Sequence, residues 1–153
     1  MTSITRATPA DIDALLPLFR GYLRFYHRPD DAAPARAFLE ARIGNGESVV
    51  FLARDDATGE ALGFVQLYPA FASTRLARSW ILNDLFVVES ARGRGVSKAL
   101  MEAARQLGVE TGACEMMLQT ARTNAVAQSL YASLGWVRDD DFLVYNLDTG
   151  SRA

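Results

Sequence analysis

The sequence predicts an α/β fold in which one mixed β-sheet is flanked by helices, within a single domain spanning residues 1–153. Three observations predict it. Half of the 153 residues are apolar and 22% are charged, enough to bury one sizeable core. Apolar runs with strand character alternate with segments of helical period in the order β-α-α-β-β-β-α-β-α-β-β. Near the middle of the chain, a β-branched apolar run passes through Arg92-Gly93-Arg94-Gly95 into an Ala/Leu/Met helix pattern.

Each element follows from local chemistry. Ile4 to Ala7 is a short strand, and Thr8-Pro9-Ala10-Asp11 supplies a cap and a proline suited to a helix start. Ile12, Leu15, Leu16, Leu18, Phe19, Leu23 and Tyr26 recur at helical spacing, which makes Asp11 to about Phe25 amphipathic. A polar break at His27-Arg28-Pro29-Asp30-Asp31 precedes a second helix, Pro34 to Ile43, ended by Gly44-Asn45-Gly46. Ser48 to Arg54 and Ala61 to Tyr68 read as a hairpin closed by Pro69, and Phe71 to Arg78 as a loop. Ser79 to Val88 is the long central strand, followed by the glycine-rich turn and a helix over Val96 to about Glu110. Ala113 to Thr120 is a further strand, Ala125 to Leu134 a helix stopped by Gly135, and Trp136 to Arg138 and Phe142 to Leu147 the last two strands.

The order strand, glycine-rich turn, helix start builds an anion site. The first amides of a helix have no intrahelical acceptor, the helix dipole adds positive potential, and glycines let a phosphate approach the backbone. Arg92, Arg94 and Lys98 add mobile positive charge. The spacing is neither a Walker A loop nor a dinucleotide fingerprint, whose third glycine position is here Lys98. It resembles the acyl-coenzyme A loop of the GNAT superfamily of N-acetyltransferases, Arg/Gln-x-x-Gly-x-Gly/Ala, with Arg92, Gly95 and Ser97 at the fixed positions. Ser97 departs from the pattern but is still small.

A second string, Asn124, Ala127, Leu130, Tyr131, Gly135 and Trp136, resembles the pattern Asn-x-x-Ala-x-x-Leu-Tyr-x-x-x-Gly-aromatic of the same superfamily. A helix places Asn124, Ala127 and Tyr131 on one face. The resemblance covers nearly the whole chain. It implies the GNAT fold, in which the central strand and the strand after the coenzyme helix run parallel and splay apart into an acetyl-CoA cleft, here between Ser79–Val88 and Ala113–Thr120. It implies acetyl-CoA as cofactor, held by Leu85, Phe86, Val87, Val88, Arg92, Gly93, Arg94, Gly95, Val96, Ser97 and Lys98, with Asn124, Ala127 and Tyr131 along the coenzyme arm. Within this set the backbone near Leu85 and Phe86 faces the acyl carbonyl, and Val87 and Val88 pair with the pantetheine like an added strand. Tyr131 is the expected general acid toward the coenzyme A sulfur, and Asp84, the only carboxylate inside the central strand, the candidate base. Strand alternation turns its neighbour Asn83 to the opposite side.

The acceptor end of the cleft in this fold is flanked by the break between the first two helices, carrying Tyr26, His27, Asp30 and Asp31, and by the turn Asp139-Asp140-Asp141. With Asn83 these are the expected substrate-binding residues. Carboxylates from two loops attract a cation, and an aromatic ring packs against an alkylammonium. The expected acceptor is therefore a small cationic amine such as a polyamine, diamine or amino acid. The short strings Gln66-Leu67-Tyr68-Pro69 and Leu82-Asn83-Asp84-Leu85 resemble polyamine- and histone-directed GNAT enzymes. The alternatives are a protein amino-group acetyltransferase and a non-catalytic acyl-CoA sensor. Dimers through the last strands or the sheet edge are common in the superfamily, which allows a homodimer.

Other classes are disfavoured. A net charge of −2 argues against a general nucleic-acid surface, and one cysteine with one histidine leaves no multi-cysteine or zinc constellation, so no metal is expected. Cys114 reads as a small core residue of an apolar strand. The absence of a signal-like opening and of any long apolar run gives a cytoplasmic expectation with no membrane partner.

Overall fold

A computed structural model describes residues 1–150. The chain divides into two compact units, Met1–Gln119 and a second beginning at Thr120. The first unit holds a five-stranded sheet: β1 (Thr2–Arg6), β2 (Val49–Asp55), β3 (Ala61–Ala72), β4 (Ala77–Val87) and β5 (Glu115–Met117), paired in that order. The first four strands are antiparallel neighbours, and β4 and β5 run parallel. Parallel strands need a crossover, supplied by α3 (Val96–Glu110).

A short 3-10 turn at Pro9–Asp11 leads into α1 (Ile12–Phe25), with a capping box in which the Thr8 hydroxyl accepts from the Ala10 amide while the Asp11 carboxylate accepts from the Thr8 amide. Ile12, Leu15, Leu16 and Phe19 of α1 and Leu39 of α2 (Ala32–Gly44) pack on Val50, Leu52 and Phe64, forming the main core on one face of the sheet. On the opposite face, covered by α3, Val49, Val65 and Leu67 are buried. Gly21 lets α1 sit close to β4: a Cβ there would lie 2.8 Å from the Phe86 ring.

Several boundaries differ from the sequence reading. Pro69 does not close β3, which continues to Ala72 in pairing with β4; β2 pairing ends at Val49↔Leu67, so the missing N–H of Pro69 falls on a stretch with no neighbour on that side. The expected loop Phe71–Arg78 is reduced to a 3-10 turn at Ser73–Arg75 and left-handed Leu76. The expected strand Ala113–Thr120 shrinks to the three residues that pair with Ser79–Ile81, and Cys114 precedes it, half-buried.

In the second unit, α4 (Ala125–Ser133) is the only regular element among the described residues. The expected strands Trp136–Arg138 and Phe142–Leu147 are not formed. Their apolar residues, Phe142, Leu143, Val144, Tyr145 and Leu147 among them, are exposed, and the described residues of the unit include no strand with which they could make a ladder. No helix of the described chain is long and apolar enough to cross a membrane.

Candidate active site

β4 is the strand on which the site is built. At its C-terminal end the chain makes a 3-10 turn, Glu89–Ala91, and then enters the glycine loop. Gly93 and Gly95 have φ of +76° and +80°, in the left-handed region that glycine adopts without a Cβ penalty. Gly95 is the N-cap of α3 and offers no side chain to its first amides. Those of Val96, Ser97 and Lys98 therefore point out of the helix with no intrahelical acceptor. A Cβ at Gly93 or Gly95 would meet nothing within 4 Å, so the loop is open to an incoming group.

The basic residues of the loop are partly engaged. The Arg92 Nε donates to the Val87 carbonyl at 3.0 Å, with its guanidinium over the Phe86 ring. Arg94 pairs with Asp55 at 3.4 Å. Lys98 is exposed and without an ion pair among the described residues.

The Val88 amide donates to Leu62 of β3 at 2.9 Å. Backbone alternation then turns the peptide groups of Val87 and Leu85 to the other side of β4. On that side β5 pairs only as far as Ile81, so the edge from Leu85 to Val87 has no strand beside it. The expected splay is present as this divergence.

Toward the middle of β4 lies a buried polar cluster. Asp84 is 2% exposed and pairs across the strands with Gln66, which is fully buried. Gln66 Nε2 donates to Asp84 Oδ2 at 2.5 Å and Asn83 Nδ2 donates to Oδ1 at 2.7 Å. The Tyr22 hydroxyl of α1 lies 3.4 Å from the Asn83 carbonyl and within reach of the Asp84 carboxylate. Burial pushes the Asp84 carboxyl above its ordinary range, against the three donors, which pull it down. Burial, and then the Asp84 charge, push the Tyr22 and Tyr68 phenols upward, so both stay protonated.

The placement of Asn83 corrects strict alternation. The register shifts from Gln66↔Asp84 to Leu67↔Leu82, leaving Asn83 as the extra residue of a bulge and free to turn toward Asp84. Gln66, Tyr22 and Tyr68 were not singled out from sequence as site residues. A glutamine inside the apolar run Gly-Phe-Val-Gln-Leu-Tyr was the available signal, because a buried amide needs partners.

The break between α1 and α2 is less acidic in effect than its sequence. Asp30 pairs with Arg24 at 2.5 Å and Arg20 at 3.7 Å, so its charge is already balanced. His27 is exposed in a left-handed conformation, φ +56°, and Asp31 is the N-cap position of α2. Tyr26 stands beside Tyr22, ring centroids 5.0 Å apart, and so borders the Asp84 cluster.

In the second unit, the side-chain oxygen of Asn124, a residue expected along the coenzyme arm, caps α4 by accepting from the Ala127 amide at 3.2 Å. Tyr131 sits on α4 with its ring 6.3 Å from that of Trp136. Asp140 pairs with Arg138 at 2.8 Å, and Asp139 accepts from the Asp141 amide. No group of three or more metal-ligating side chains occurs among the described residues.

Comparison with known proteins agrees with this geometry. Residues 13–136 match the Acetyltransferase (GNAT) family. The chain is 41% identical over 150 residues to the uncharacterized N-acetyltransferase YhfO of Bacillus subtilis (strain 168), covering 98% of this chain and 99% of that one. It is similar to the crystal structure of a probable acetyltransferase, with a TM-score of 0.93, 41% identity and coverage of 98% and 99% of the two chains. The fold is shared with the aminoglycoside N-acetyltransferase AAC(6')-Iy in complex with CoA, at a TM-score of 0.78, 24% identity and coverage of 96% and 95%. The chain belongs to the GNAT family and is an N-acetyltransferase.

Proposed function

We propose that the chain transfers the acetyl group of acetyl-CoA to a small cationic primary amine, with Asp84 as base and Tyr131 as acid. The observation that carries the reading is the Asp84 cluster: a carboxylate buried in β4, held by Gln66 and Asn83, and bordered by Tyr22 and Tyr26. A buried carboxylate with a raised proton affinity is a stronger proton acceptor than an ordinary carboxylate, and aromatic rings beside it favour a cation.

The residues present fit acetyl-CoA. The left-handed, open glycines and the unpartnered amides of Val96, Ser97 and Lys98 suit its diphosphate, with Lys98 as a free counter-charge. The edge from Leu85 to Val87, which has no strand beside it and only the Arg92 Nε on the Val87 carbonyl, suits an extended, amide-bearing arm. When bound, acetyl-CoA supplies an activated acetyl thioester.

Everything else falls to side chains and backbone of this protein. The Leu85 amide on the free edge of β4 supports the carbonyl oxygen as it gains charge, while that of Phe86 turns toward β3. Asp84 takes the proton that the acceptor must lose to expose its nitrogen lone pair. Its carboxylate, once ionised, holds the cationic form of the acceptor before that loss. The Tyr131 hydroxyl holds the proton destined for the thiolate.

Thiol release from acetyl-CoA, measured against polyamines, diamines, amino acids, aminoglycosides and peptides, tests the reading. Turnover is expected with small cationic amines. Asp84→Asn should lower kcat/KM by about 100-fold or more, and Tyr131→Phe should lower kcat with coenzyme binding retained. Turnover at background for all small amines, or full activity in Asp84→Asn, overturns it.

A further inference from the structure

A second concave site opens at the end of the sheet, between α3-facing strand residues and the C-terminal end of α2, away from the Asp84 cluster. The cavity has a volume of about 330 Å³, and its lining includes Arg6, Ser48, Val49, Pro69, Arg78 and Trp80. Cross-strand pairing places these residues together. Val49 faces Leu67, Pro69 faces Trp80, and Arg78 lies two residues from Trp80 on the same side of β4. Arg6 pairs with Phe51, two residues from Val49. The Trp80 indole is fixed by donating to the Thr111 hydroxyl at 2.8 Å, at the C-terminal end of α3.

The chemistry of this lining is one-sided. It carries two guanidinium groups and no carboxylate. Neither Arg6 nor Arg78 is in an ion pair among the described residues, although nine other arginines are. The Arg78 guanidinium lies 5.4 Å from the Phe71 ring centroid, which orients it without neutralising it. Ser48 is 7% exposed, and its hydroxyl has no hydrogen-bond partner among the described residues. A buried hydroxyl left unpaired costs free energy that a ligand acceptor would recover. The floor of Val49, Pro69 and Trp80 is apolar.

We infer that this cavity binds a small organic oxyanion, a carboxylate or phosphate monoester carried on an apolar body, with Arg6 and Arg78 on its oxygens and Trp80 against its apolar part. The site is separate from the glycine loop: the two lie at opposite ends of α3, whose 15 residues span about 22 Å. Its strand residues Arg6, Val49, Pro69, Arg78 and Trp80 also face the other side of the sheet from Asp84, so the inference stands whether or not the acceptor reading holds.

The test uses the full chain saturated with coenzyme A, so that the diphosphate loop is filled. Phenyl phosphate, benzoate, inorganic phosphate and benzyl alcohol are titrated by calorimetry, with the Trp80 indole N–H followed by NMR and assigned with Trp80→Phe. Phenyl phosphate or benzoate is expected to bind saturably and to move the Trp80 signal, and whichever binds tighter identifies the oxyanion. Arg6→Ala and Arg78→Ala should each weaken binding by about tenfold. Ser48→Ala should weaken it while leaving the thermal midpoint of the free protein unchanged or raised, which a purely structural role would not do. Binding of inorganic phosphate as tight as phenyl phosphate, equal binding of benzyl alcohol, insensitivity to both arginine variants, or no saturation below about 10 mM overturns the inference.

Discussion

Gln66→Met is the most direct perturbation of the Asp84 cluster. Methionine matches the length of glutamine and removes the Nε2 donor that meets Asp84 Oδ2 at 2.5 Å, leaving Asn83 on the other oxygen at 2.7 Å. Both residues are buried, so water does not replace the donor. A hydrogen bond to a charged group is worth about 1.5–3 kcal/mol, and each 1.36 kcal/mol is tenfold in an ionisation equilibrium. The carboxylate form should therefore be disfavoured by about ten- to a hundredfold, pushing the carboxyl further in the direction that burial already pushes it. The variant also deletes the Gln66 Oε1, which has no partner among the described residues, so the fold loses less than one buried bond. Two assays read the outcome: the 13C signal of the Asp84 carboxyl against pH, which needs no acceptor, and the acidic limb of kcat/KM with the amine returned by the thiol-release screen. Both midpoints should move to higher pH while the high-pH plateau is kept within a few-fold. A lowered plateau with an unmoved midpoint would show Gln66 to be mere packing and would refute the assignment of Asp84 as base.

Other expectations follow from the same coordinates. Because the folded-state proton affinity of Asp84 is raised, the native state binds more protons than the unfolded chain, so its contribution makes stability fall as pH rises from the ordinary carboxylate range through the raised value. Urea titrations across that window should show Asp84→Asn to be flatter with pH than the parent; identical slopes would contradict the burial. Gly63→Ala would place a Cβ 2.7 Å from the Phe86 carbonyl oxygen and 3.2 Å from the Val87 Cα, displacing β4, and should cost about 1–3 kcal/mol in chemical denaturation. Gly95→Ala would meet open space but keep φ at +80°, so roughly 1 kcal/mol of stability should be lost, with a weaker calorimetric Kd for coenzyme A. An unchanged Kd would argue against the loop as the diphosphate site.

What was legible in the sequence was what local chemistry decides. The start of α3 at Val96 and its end at Glu110 agree with the sequence reading, because two left-handed glycines and an apolar stripe act within one turn of themselves. What depends on neighbours was not legible. The passage of β3 through Pro69 reflects where β2 stops pairing, and the turn of Asn83 toward Asp84 reflects a bulge that no alternation rule contains. Phe142 to Leu147 has strand composition, yet composition does not supply a partner ladder. Asp30 read as a free carboxylate because Arg20 and Arg24 reach it only across the end of α1.

One strand therefore carries three separable tasks, and the bulge is what lets it do so. Were Asn83 an ordinary paired residue of the ladder, the alternation that puts Trp80 and Leu82 on the α3 face would put Asp84 there as well, beneath α3 and away from Tyr22. With the bulge, Asp84 turns to the α1 face. The peptide groups of Leu85 and Val87 then occupy the edge that β5 has left, and the strand delivers its end to the glycine loop. Deleting Asn83 should make Leu67↔Leu82 and Gln66↔Asp84 consecutive pairs of a regular ladder, so that Asp84 keeps its face and its Gln66 contact and loses only the Asn83 donor. The carboxyl titration should therefore stay raised in that deletion variant, and its return to the ordinary carboxylate range would mean that ladder register does not set the direction of the base.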